Sequence, residues 1–298
     1  MTVPARPPGG LLLPVAALVT GMVSIQGGAA FAKTLFPAVG SGGTSALRVG
    51  FAALLLLAVW RPWRRRLTAR EAGWIALYGG ALGAMNVLFY AALARLPLGP
   101  AVALEFLGPL TLAIAGSRRR SDLGWITLAI LGLGLLLPLR GTAGLDPLGS
   151  ALALAAGVAW ALYILFGQRA GRGHGGQAVA LGMAAAALVA VPTGLAQAGT
   201  ALFAPPILAA GFAIAILSSA LPYSLEMVAL RRLDRTTFGV LMSLEPALAA
   251  LLGFVVIDEE LTPVQWLAIA LVIIASAGIT ATRRPRAMGD ETPAPVQP

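Results

Sequence analysis

The sequence predicts an all-α membrane protein with about ten transmembrane helices, arranged as two inverted five-helix repeats. Three observations predict this fold: an excess of apolar residues, a one-sided distribution of basic residues and an internal repeat. Of the 298 residues, 58% are apolar and 11% are charged, whereas soluble globular chains average about 45–50% apolar and about 25% charged residues. A bilayer accommodates this excess because it is itself an apolar solvent.

Ten apolar stretches follow one another between gaps that contain proline and glycine. Each is close to the roughly 20 residues that cross a bilayer as a helix. The tail, residues 283–298, is rich in proline and polar residues, and we expect it to be a disordered cytoplasmic end. The predicted spans are 11–31, 41–60, 73–94, 97–116, 123–139, 148–167, 177–197, 207–230, 236–257 and 263–281.

Basic residues are concentrated on one predicted side of the membrane. Of the 21 lysines and arginines, 17 lie in one set of alternate gaps and three in the other, while Arg48 lies inside a span. Cytoplasmic loops carry such an excess of positive charge. Both termini are therefore predicted to be cytoplasmic, which requires an even number of spans, and ten satisfies this condition.

The two halves of the chain resemble each other at an offset of about 140 residues. Leu104-Glu105 matches Leu244-Glu245, and Gly99 matches Gly239. Five helices per half is an odd number, so the second copy enters the membrane from the opposite side. The predicted repeats are 11–140 and 147–282, and inverted repeats of this kind are typical of secondary transporters with a site near the midplane.

The composition argues against several other classes of protein. The chain has no cysteine, one histidine (His174) and no phosphate-binding G-x-x-x-x-G-K-[ST] run. No nucleophile–base pair stands at a recognisable spacing, so we expect neither an enzyme nor a cofactor. The net charge of +9 would suggest nucleic-acid binding in a soluble protein. Here it reflects topology, and the expected partner is the lipid bilayer; the sequence leaves open whether the chain forms a homodimer.

Four charged residues lie inside predicted spans: Arg48, Glu105, Glu226 and Glu245. A charge at the bilayer centre costs about 2.5–3.5 kcal/mol on insertion scales, so such residues face a cavity or a partner. Glu105 and Glu245 are repeat mates at similar predicted depth. Because a low dielectric disfavours a charged carboxylate, both are candidates to bind and release protons. The alternative for each is a structural hydrogen bond between helices.

Arg48 and Glu226 each allow two interpretations. Arg48 is a candidate to bind a substrate carboxylate, or its head group extends outward along its methylene chain. Glu226 lies near the cytoplasmic end of its span, where it either takes part in transport or pairs with an arginine such as Arg231. Tyr223 shares the helical face of Glu226, and we include it among the candidates.

Neutral polar side chains inside spans add further candidates. Asn86 and Tyr90 are four residues apart and share a helical face, where they can bind a polar substrate. Gln26, Trp160 and Tyr163 are similarly placed within spans. The alternative is that the aromatic residues anchor their helices at the membrane interfaces.

Prolines within spans indicate irregular backbone. Pro109 and Pro222 remove the helical donors for the carbonyl groups of Glu105 and Ser218, and Pro246 acts likewise in the second half. Free carbonyl groups at membrane depth are tolerated where they line a cavity. A simple kink is the alternative interpretation.

Two short patterns concern packing and solvation. The spacing Gly79-x-x-x-Gly83 permits close approach of another helix. The acidic run Asp258-Glu259-Glu260 lies in a predicted outer loop, and we expect it to be solvated.

Several of these residues lie in stretches that resemble a known family. Residues 24–37, 78–110, 161–171 and 216–250 resemble bacterial amino-acid exporters in the EamA branch of the drug/metabolite transporter superfamily. The resemblance implies a ten-helix carrier of the bacterial inner membrane that exports small amino acids, such as threonine and homoserine, in exchange for protons. Its matching stretches contain Gln26, Asn86, Tyr90, Glu105, Tyr163, Tyr223, Glu226 and Glu245. Alternatives are another metabolite or drug as cargo, a membrane scaffold or a membrane-embedded enzyme.

Overall fold

Ten α-helices occur in the computed structural model, which describes residues 12–64, 67–116, 120–136, 145–170, 175–222, 225 and 241–282. No β-strand occurs within these ranges. The helices are α1 (Leu12–Lys33), α2 (Phe36–Trp60), α3 (Ala69–Leu93), α4 (Leu98–Gly116), α5 (Arg120–Leu136), α6 (Pro147–Ala170), α7 (Gly175–Ala198), α8 (Pro205–Ala215), α9 (Glu245–Ile257) and α10 (Pro263–Thr282).

Five segments of the described chain are long and apolar enough to cross a membrane: Leu13–Lys33, Phe36–Arg64, Ala69–Leu93, Pro147–Ala170 and Gly176–Phe203. Shorter apolar helices make up the rest. Large apolar side chains such as Leu188, Val59 and Val255 are at least 70% exposed. Such an exposed apolar surface suits contact with lipid tails rather than water. The prediction of an all-α protein with apolar membrane helices is confirmed at this level.

The helices pack in a defined set of neighbours. Helix α2 packs along α7, α3 along α6 and α7, α4 along α6 and α9, and α5 along α10. Helix α1 packs on α9 and on the chain that follows α8. These contacts bring α1, α2, α3, α4, α9 and the end of α8 around one interior region.

Small residues allow the closest of these contacts. At Gly79 an added Cβ would lie 2.5 Å from Ala185 Cβ of α7, and at Gly83 it would lie 2.8 Å from Val189 Cβ. Real Cβ atoms do not approach so closely, so these positions require glycine for the observed spacing. The close packing predicted from the Gly79-x-x-x-Gly83 pattern is confirmed, and its partner is α7.

Helix α2 is broken near its start. Gly40 has φ 69° and ψ 173°, a conformation outside the helical region that favours glycine. After this break the amide of Gly42 donates a 2.6 Å hydrogen bond to Gln197 Oε1 on α7. The side chain of Gln197 thereby satisfies a backbone donor that the interrupted helix leaves free.

The boundaries in the second half differ from the predicted spans 207–230 and 236–257. Helix α8 continues as a π-helical turn, Ile216–Ala220, and a 3₁₀ turn, Met242–Leu244, precedes α9. Residues 226–240 lie outside the described residues. Pro246 stands in the first turn of α9, where its missing N–H costs nothing. Glu245 therefore begins α9, whereas Glu105 lies within α4.

Glu259 is not solvated as predicted. Its carboxylate accepts a 2.5 Å hydrogen bond from Lys33 Nζ and a 2.8 Å hydrogen bond from the amide of Leu98. Lys33 also donates to the carbonyl oxygen of Leu96 at 3.1 Å. The expectation fails because the N-terminus of α4 presents free N–H groups that attract a carboxylate. We call Lys33, Leu96, Leu98 and Glu259 the end cluster.

Candidate functional site

Polar side chains from six elements converge inside the bundle. Helices α1 to α4 supply them from the first half of the chain, and the π turn and α9 supply them from the second half. We call this set the central cluster, which consists of Gln26, Arg48, Asn86, Tyr90, Glu105, Ser218 and Glu245.

Arg48 links three of these elements. Its Nη1 donates to Asn86 Oδ1 at 2.8 Å, and its Nη2 donates to the carbonyl oxygen of Ser218 at 3.1 Å. Its guanidinium carbon lies 5.5 Å from the centre of the Tyr90 ring, a distance at which a cation and a ring face attract each other. The head group is thus held inside the bundle, and the alternative in which it extends outward is wrong.

Pro222 removes the α-helical donor for the carbonyl group of Ser218. Proline has no N–H, so the residue four positions earlier keeps a carbonyl oxygen without its helical donor. In the π turn the amide of Leu221 donates to the carbonyl of Ile216. Arg48 then supplies a donor to the carbonyl of Ser218. A local backbone irregularity therefore becomes part of the site.

Helix α1 approaches the π turn at Gly28. A Cβ added there would lie 2.8 Å from Ser218 Cβ. By contrast, nothing lies within 4 Å of a Cβ added at Gly27. The absence of a side chain at Gly28 thus sets the position of Ser218 and, through its carbonyl, the position of Arg48.

Gln26 and Glu245 join α1 to α9. Gln26 Nε2 donates to Glu245 Oε1 at 2.9 Å, and the two residues are 3% and 5% exposed. The bond orients the carboxyl group. It uses one oxygen only, because Glu245 Oε2 has no hydrogen-bond partner in the described part of the chain.

Glu105 completes the central cluster from α4. It is 6% exposed, and it interacts electrostatically with Glu245, Arg48 and Tyr90. Gly157 of α6 covers its backbone, since a Cβ there would lie 2.5 Å from the carbonyl oxygen of Glu105. This is the carbonyl that Pro109 leaves without a helical donor, and it faces α6.

The cluster contains buried polar atoms with spare hydrogen-bonding capacity. Buried polar atoms are almost always hydrogen-bonded in proteins, so several exceptions in one region point to a ligand. Four atoms of the cluster have no partner among the residues that the structure describes: Gln26 Oε1, Arg48 Nε, Tyr90 Oη and Glu245 Oε2. A fifth such atom is Ser45 Oγ, on α2 three residues before Arg48.

Ser45 was missed by the sequence analysis. It lies in a segment rich in glycine and serine, 40–45, which resembles a helix start more than a binding site. The spacing between Ser45 and Arg48 could have indicated it, because residues three positions apart lie on the same side of a helix.

Trp160 and Tyr163 are not brought to this region. The Tyr163 ring stacks on Tyr78 with centroids 5.0 Å apart and an interplanar angle of 27°. Trp160 packs edge-on against Phe106 with centroids 6.0 Å apart. These contacts favour packing roles for both residues. Tyr223 and Glu226 lie outside the described residues.

The chemistry available here is the binding of charges rather than metal chemistry. Within the described ranges, no group of three or more His, Cys, Asp or Glu residues is placed to hold a metal ion. Two carboxyl groups and one guanidinium interact electrostatically in this region. They can accept from a cation and donate to an anion at the same time.

The sequence is similar to those of known transporters. Residues 147–281 match the EamA-like transporter family. Over 273 residues the chain is 52% identical to the Threonine/homoserine exporter RhtA of Escherichia coli, covering 91% of this chain and 92% of that protein. The Threonine/homoserine exporter RhtA of Salmonella typhimurium gives the same identity and coverage.

A solved crystal structure of another protein superposes with a TM-score of 0.63 at 22% identity, covering 90% of this chain and 96% of that one. At this identity the likeness concerns the fold alone. The two curated relatives are exporters by name, so the prediction of a transporter rather than an enzyme is confirmed. This chain belongs to the EamA-like transporter family.

Proposed function

We propose that this chain is a secondary transporter that exports small amino acids, such as threonine and homoserine, from the bacterial cytoplasm across the inner membrane. The observation that carries the proposal is the central cluster, in which two buried carboxyl groups interact electrostatically with a guanidinium group. The names of the curated relatives supply the substrate class.

A zwitterionic amino acid fits the polar atoms that have spare capacity. Its ammonium group needs acceptors, and Glu245 Oε2 is a buried acceptor beside the carboxyl group of Glu105. Its carboxylate needs donors, and Arg48 Nε and Tyr90 Oη are buried donors. Charge-assisted hydrogen bonds of this kind are the strong ones. The cluster therefore supports binding of both charged ends of one small molecule.

The helix contacts support an inverted repeat of residues 11–140 and 147–282 with ten membrane spans. A two-fold axis between the repeats would interchange each helix of the first half with the helix five positions later in the chain. Under this interchange the contacting pairs α2–α7, α4–α9 and α5–α10 map onto themselves. The same exchange turns α3–α6 into α8–α1 and α3–α7 into α8–α2, and both of these pairs are present. Such a pattern is expected of a pseudo-two-fold axis between two copies.

The distribution of basic residues supports cytoplasmic termini, which places the end cluster on the outer side. Because six of the seven residues of the central cluster are buried and Arg48 is partly buried, a solute reaches it only when helices separate at one end of the bundle. Alternating access through movement of one repeat against the other meets this requirement.

Charge balance supports coupling to protons. Two ionised carboxylates and one guanidinium leave one negative charge, which is costly in a medium of low dielectric. A proton on Glu105 or Glu245 removes it. A zwitterionic substrate adds no net charge, but its ammonium group can pair with the same carboxylate in place of the proton while its carboxylate pairs with Arg48. Alternation between these two cations at the same carboxyl groups amounts to proton antiport.

The test is transport by cells and by purified protein. Expression in bacteria that lack their own threonine exporters is expected to increase efflux of labelled threonine and homoserine and to confer resistance to an excess of either. If neither changes, the substrate assignment fails. Counterflow in proteoliposomes with a panel of amino acids, purines and hydrophobic drugs then separates another cargo from a scaffold that exchanges no solute.

A further inference from the structure

We infer that Ser45 is a specificity-determining residue that recognises the side-chain hydroxyl group of the transported amino acid. The inference rests on the proposed function and extends it, since the charged groups of the central cluster bind only what all amino acids share. Threonine and homoserine have in common a hydroxyl group, on different carbons. A carrier that selects them needs a group that exchanges a hydrogen bond with that hydroxyl.

Ser45 has the burial and the free capacity that this role requires. It is 0% exposed, and its Oγ has no hydrogen-bond partner in the part of the chain that the structure describes. A hydroxyl group both donates and accepts, so it suits a substrate hydroxyl in either orientation. Leaving such a group unpaired in the interior costs free energy, which a ligand that pairs with it recovers.

Other buried hydroxyl groups nearby behave differently. Thr44 Oγ1 donates to the carbonyl oxygen of Gly40 at 2.8 Å, and Ser218 Oγ donates to that of Ile214 at 2.6 Å. Both use the backbone of the preceding turn, which is the usual partner of a hydroxyl group in a helix. Ser45 does not, so its hydroxyl is free for a partner that is not part of its own helix.

The position of Ser45 relative to Arg48 fits the size of the substrate. Three residues along a helix correspond to an axial rise of about 4.5 Å. The hydroxyl oxygen of threonine is three bonds from its carboxylate carbon and that of homoserine is four, with bonds of about 1.5 Å each. Residues three apart on a helix share a face, with Cβ atoms about 5–6 Å apart, so a substrate bound against this face of α2 can meet Arg48 with its carboxylate and Ser45 with its hydroxyl group.

The test compares solutes that differ only by this hydroxyl group. Removal of the hydroxyl converts both threonine and homoserine into 2-aminobutyrate, so one analogue serves as the reference for both. Each of the three is used to compete with labelled threonine in counterflow by the full chain in proteoliposomes. The measured quantity is the concentration for half inhibition, expressed as the preference for each hydroxylated solute over 2-aminobutyrate.

We expect Ser45→Ala to lower the preference for threonine and homoserine about three- to tenfold, the range of one net hydrogen bond. Inhibition by 2-aminobutyrate is expected to stay unchanged. Thr44→Val is the matched control, because the Thr44 hydroxyl already bonds within its own helix, and it is expected to retain the wild-type preference. Ser45→Cys provides the same measurement at nearly constant volume in case the alanine variant is not stably folded.

An unchanged preference in Ser45→Ala and Ser45→Cys overturns the inference, as does an equal loss for all three solutes. If the wild-type protein exchanges threonine and the Ser45 variants show the same preference as the wild type, only the role of Ser45 is removed. Wild-type protein that exchanges neither threonine nor homoserine removes the proposed function, and the inference falls with it.

Discussion

The central cluster and the end cluster are both built from charged side chains where several helices meet, yet their hydrogen bonding differs. In the end cluster, Glu259 accepts from Lys33 and from the amide of Leu98, and Lys33 also donates to the carbonyl of Leu96. In the central cluster, Arg48 Nε and Glu245 Oε2 are buried without a partner among the described residues. The end cluster also borders a shallow depression of about 280 Å³, whereas every residue of the central cluster except the partly buried Arg48 is buried.

This difference separates groups that hold the bundle together from groups that are available to a ligand. A carboxylate that binds a lysine and a helix N-terminus stabilises the structure it belongs to. A buried polar atom without a partner costs free energy in the folded protein, so its retention points to function rather than to stability. Substitutions in the central cluster should therefore affect transport most, and those in the end cluster should affect stability most.

The largest effect is expected for Arg48→Lys. Lysine keeps the charge but lacks the planar fork that bonds Asn86 and the Ser218 carbonyl together. Hydrogen bonds to charged groups contribute about 1.5–3 kcal/mol each, so counterflow of threonine is expected to fall at least about tenfold. If the Arg48→Lys variant reached the wild-type rate of counterflow at equal protein abundance, the guanidinium group would not be required.

Arg95→Lys is the matched control for this substitution. The Arg95 side chain is 47% exposed, and its Nη1 lies 3.4 Å from Asp146 Oδ2. Exposed ion pairs contribute about 0–1 kcal/mol, so counterflow is expected to stay near the wild-type rate.

The next effect concerns proton coupling by the two buried glutamates. Glutamine retains an acceptor oxygen but cannot carry a proton. We expect Glu105→Gln or Glu245→Gln to retain part of the counterflow of threonine, weakened by loss of the charge that attracts its ammonium group, while net transport driven by an imposed proton gradient falls to the level of protein-free liposomes. The exposed Glu260→Gln serves as the control. Normal gradient-driven transport with an unchanged pH profile in both single variants would remove both residues as proton carriers.

A smaller effect is expected for Gly28→Ala, which tests the link between packing and the site. The added Cβ would meet Ser218 Cβ at 2.8 Å, and overpacking of this kind costs about 1–3 kcal/mol. The π turn must shift and take the Ser218 carbonyl away from Arg48, so the initial rate of counterflow is expected to fall about fivefold or more.

Gly27→Ala is the neighbouring control, because nothing lies within 4 Å of its added Cβ. Equal rates in the two alanine variants would mean that the position of the π turn does not influence transport.

The smallest effect on transport is expected for Glu259→Ala in the end cluster. The variant loses the acceptor at the N-terminus of α4, a contribution of about 1–2 kcal/mol. The melting temperature in detergent is expected to fall by about 2–6 °C, with the half-inhibition concentration of threonine unchanged. Glu260→Ala removes an exposed carboxylate and should leave the melting temperature unaltered. A Glu259→Ala variant of normal stability but altered substrate affinity would reverse the comparison between the two clusters.

Much of the central cluster could be predicted because a bilayer makes polar residues conspicuous. Arg48, Glu105 and Glu245 stand out in apolar stretches, and the structure places all three together with Gln26 and Asn86. Serine does not stand out in this way, since its hydroxyl group commonly bonds the preceding turn of its own helix. Ser45 became visible only when its hydroxyl was found to be buried without such a partner.

The sequence by itself determined the helical class, the apolar segments and the irregular backbone at Pro222, because composition, hydropathy and the missing proline N–H are properties of local sequence. Only the tertiary structure decided which polar groups meet and which of their atoms stay unpaired. The sequence places Glu245 inside a predicted span and Glu259 in a predicted outer loop, and in neither case does it name the partner. Packing gives Glu259 a lysine and a helix N-terminus, but it gives Glu245 one glutamine, because contacts between distant helices depend on how their faces fit together.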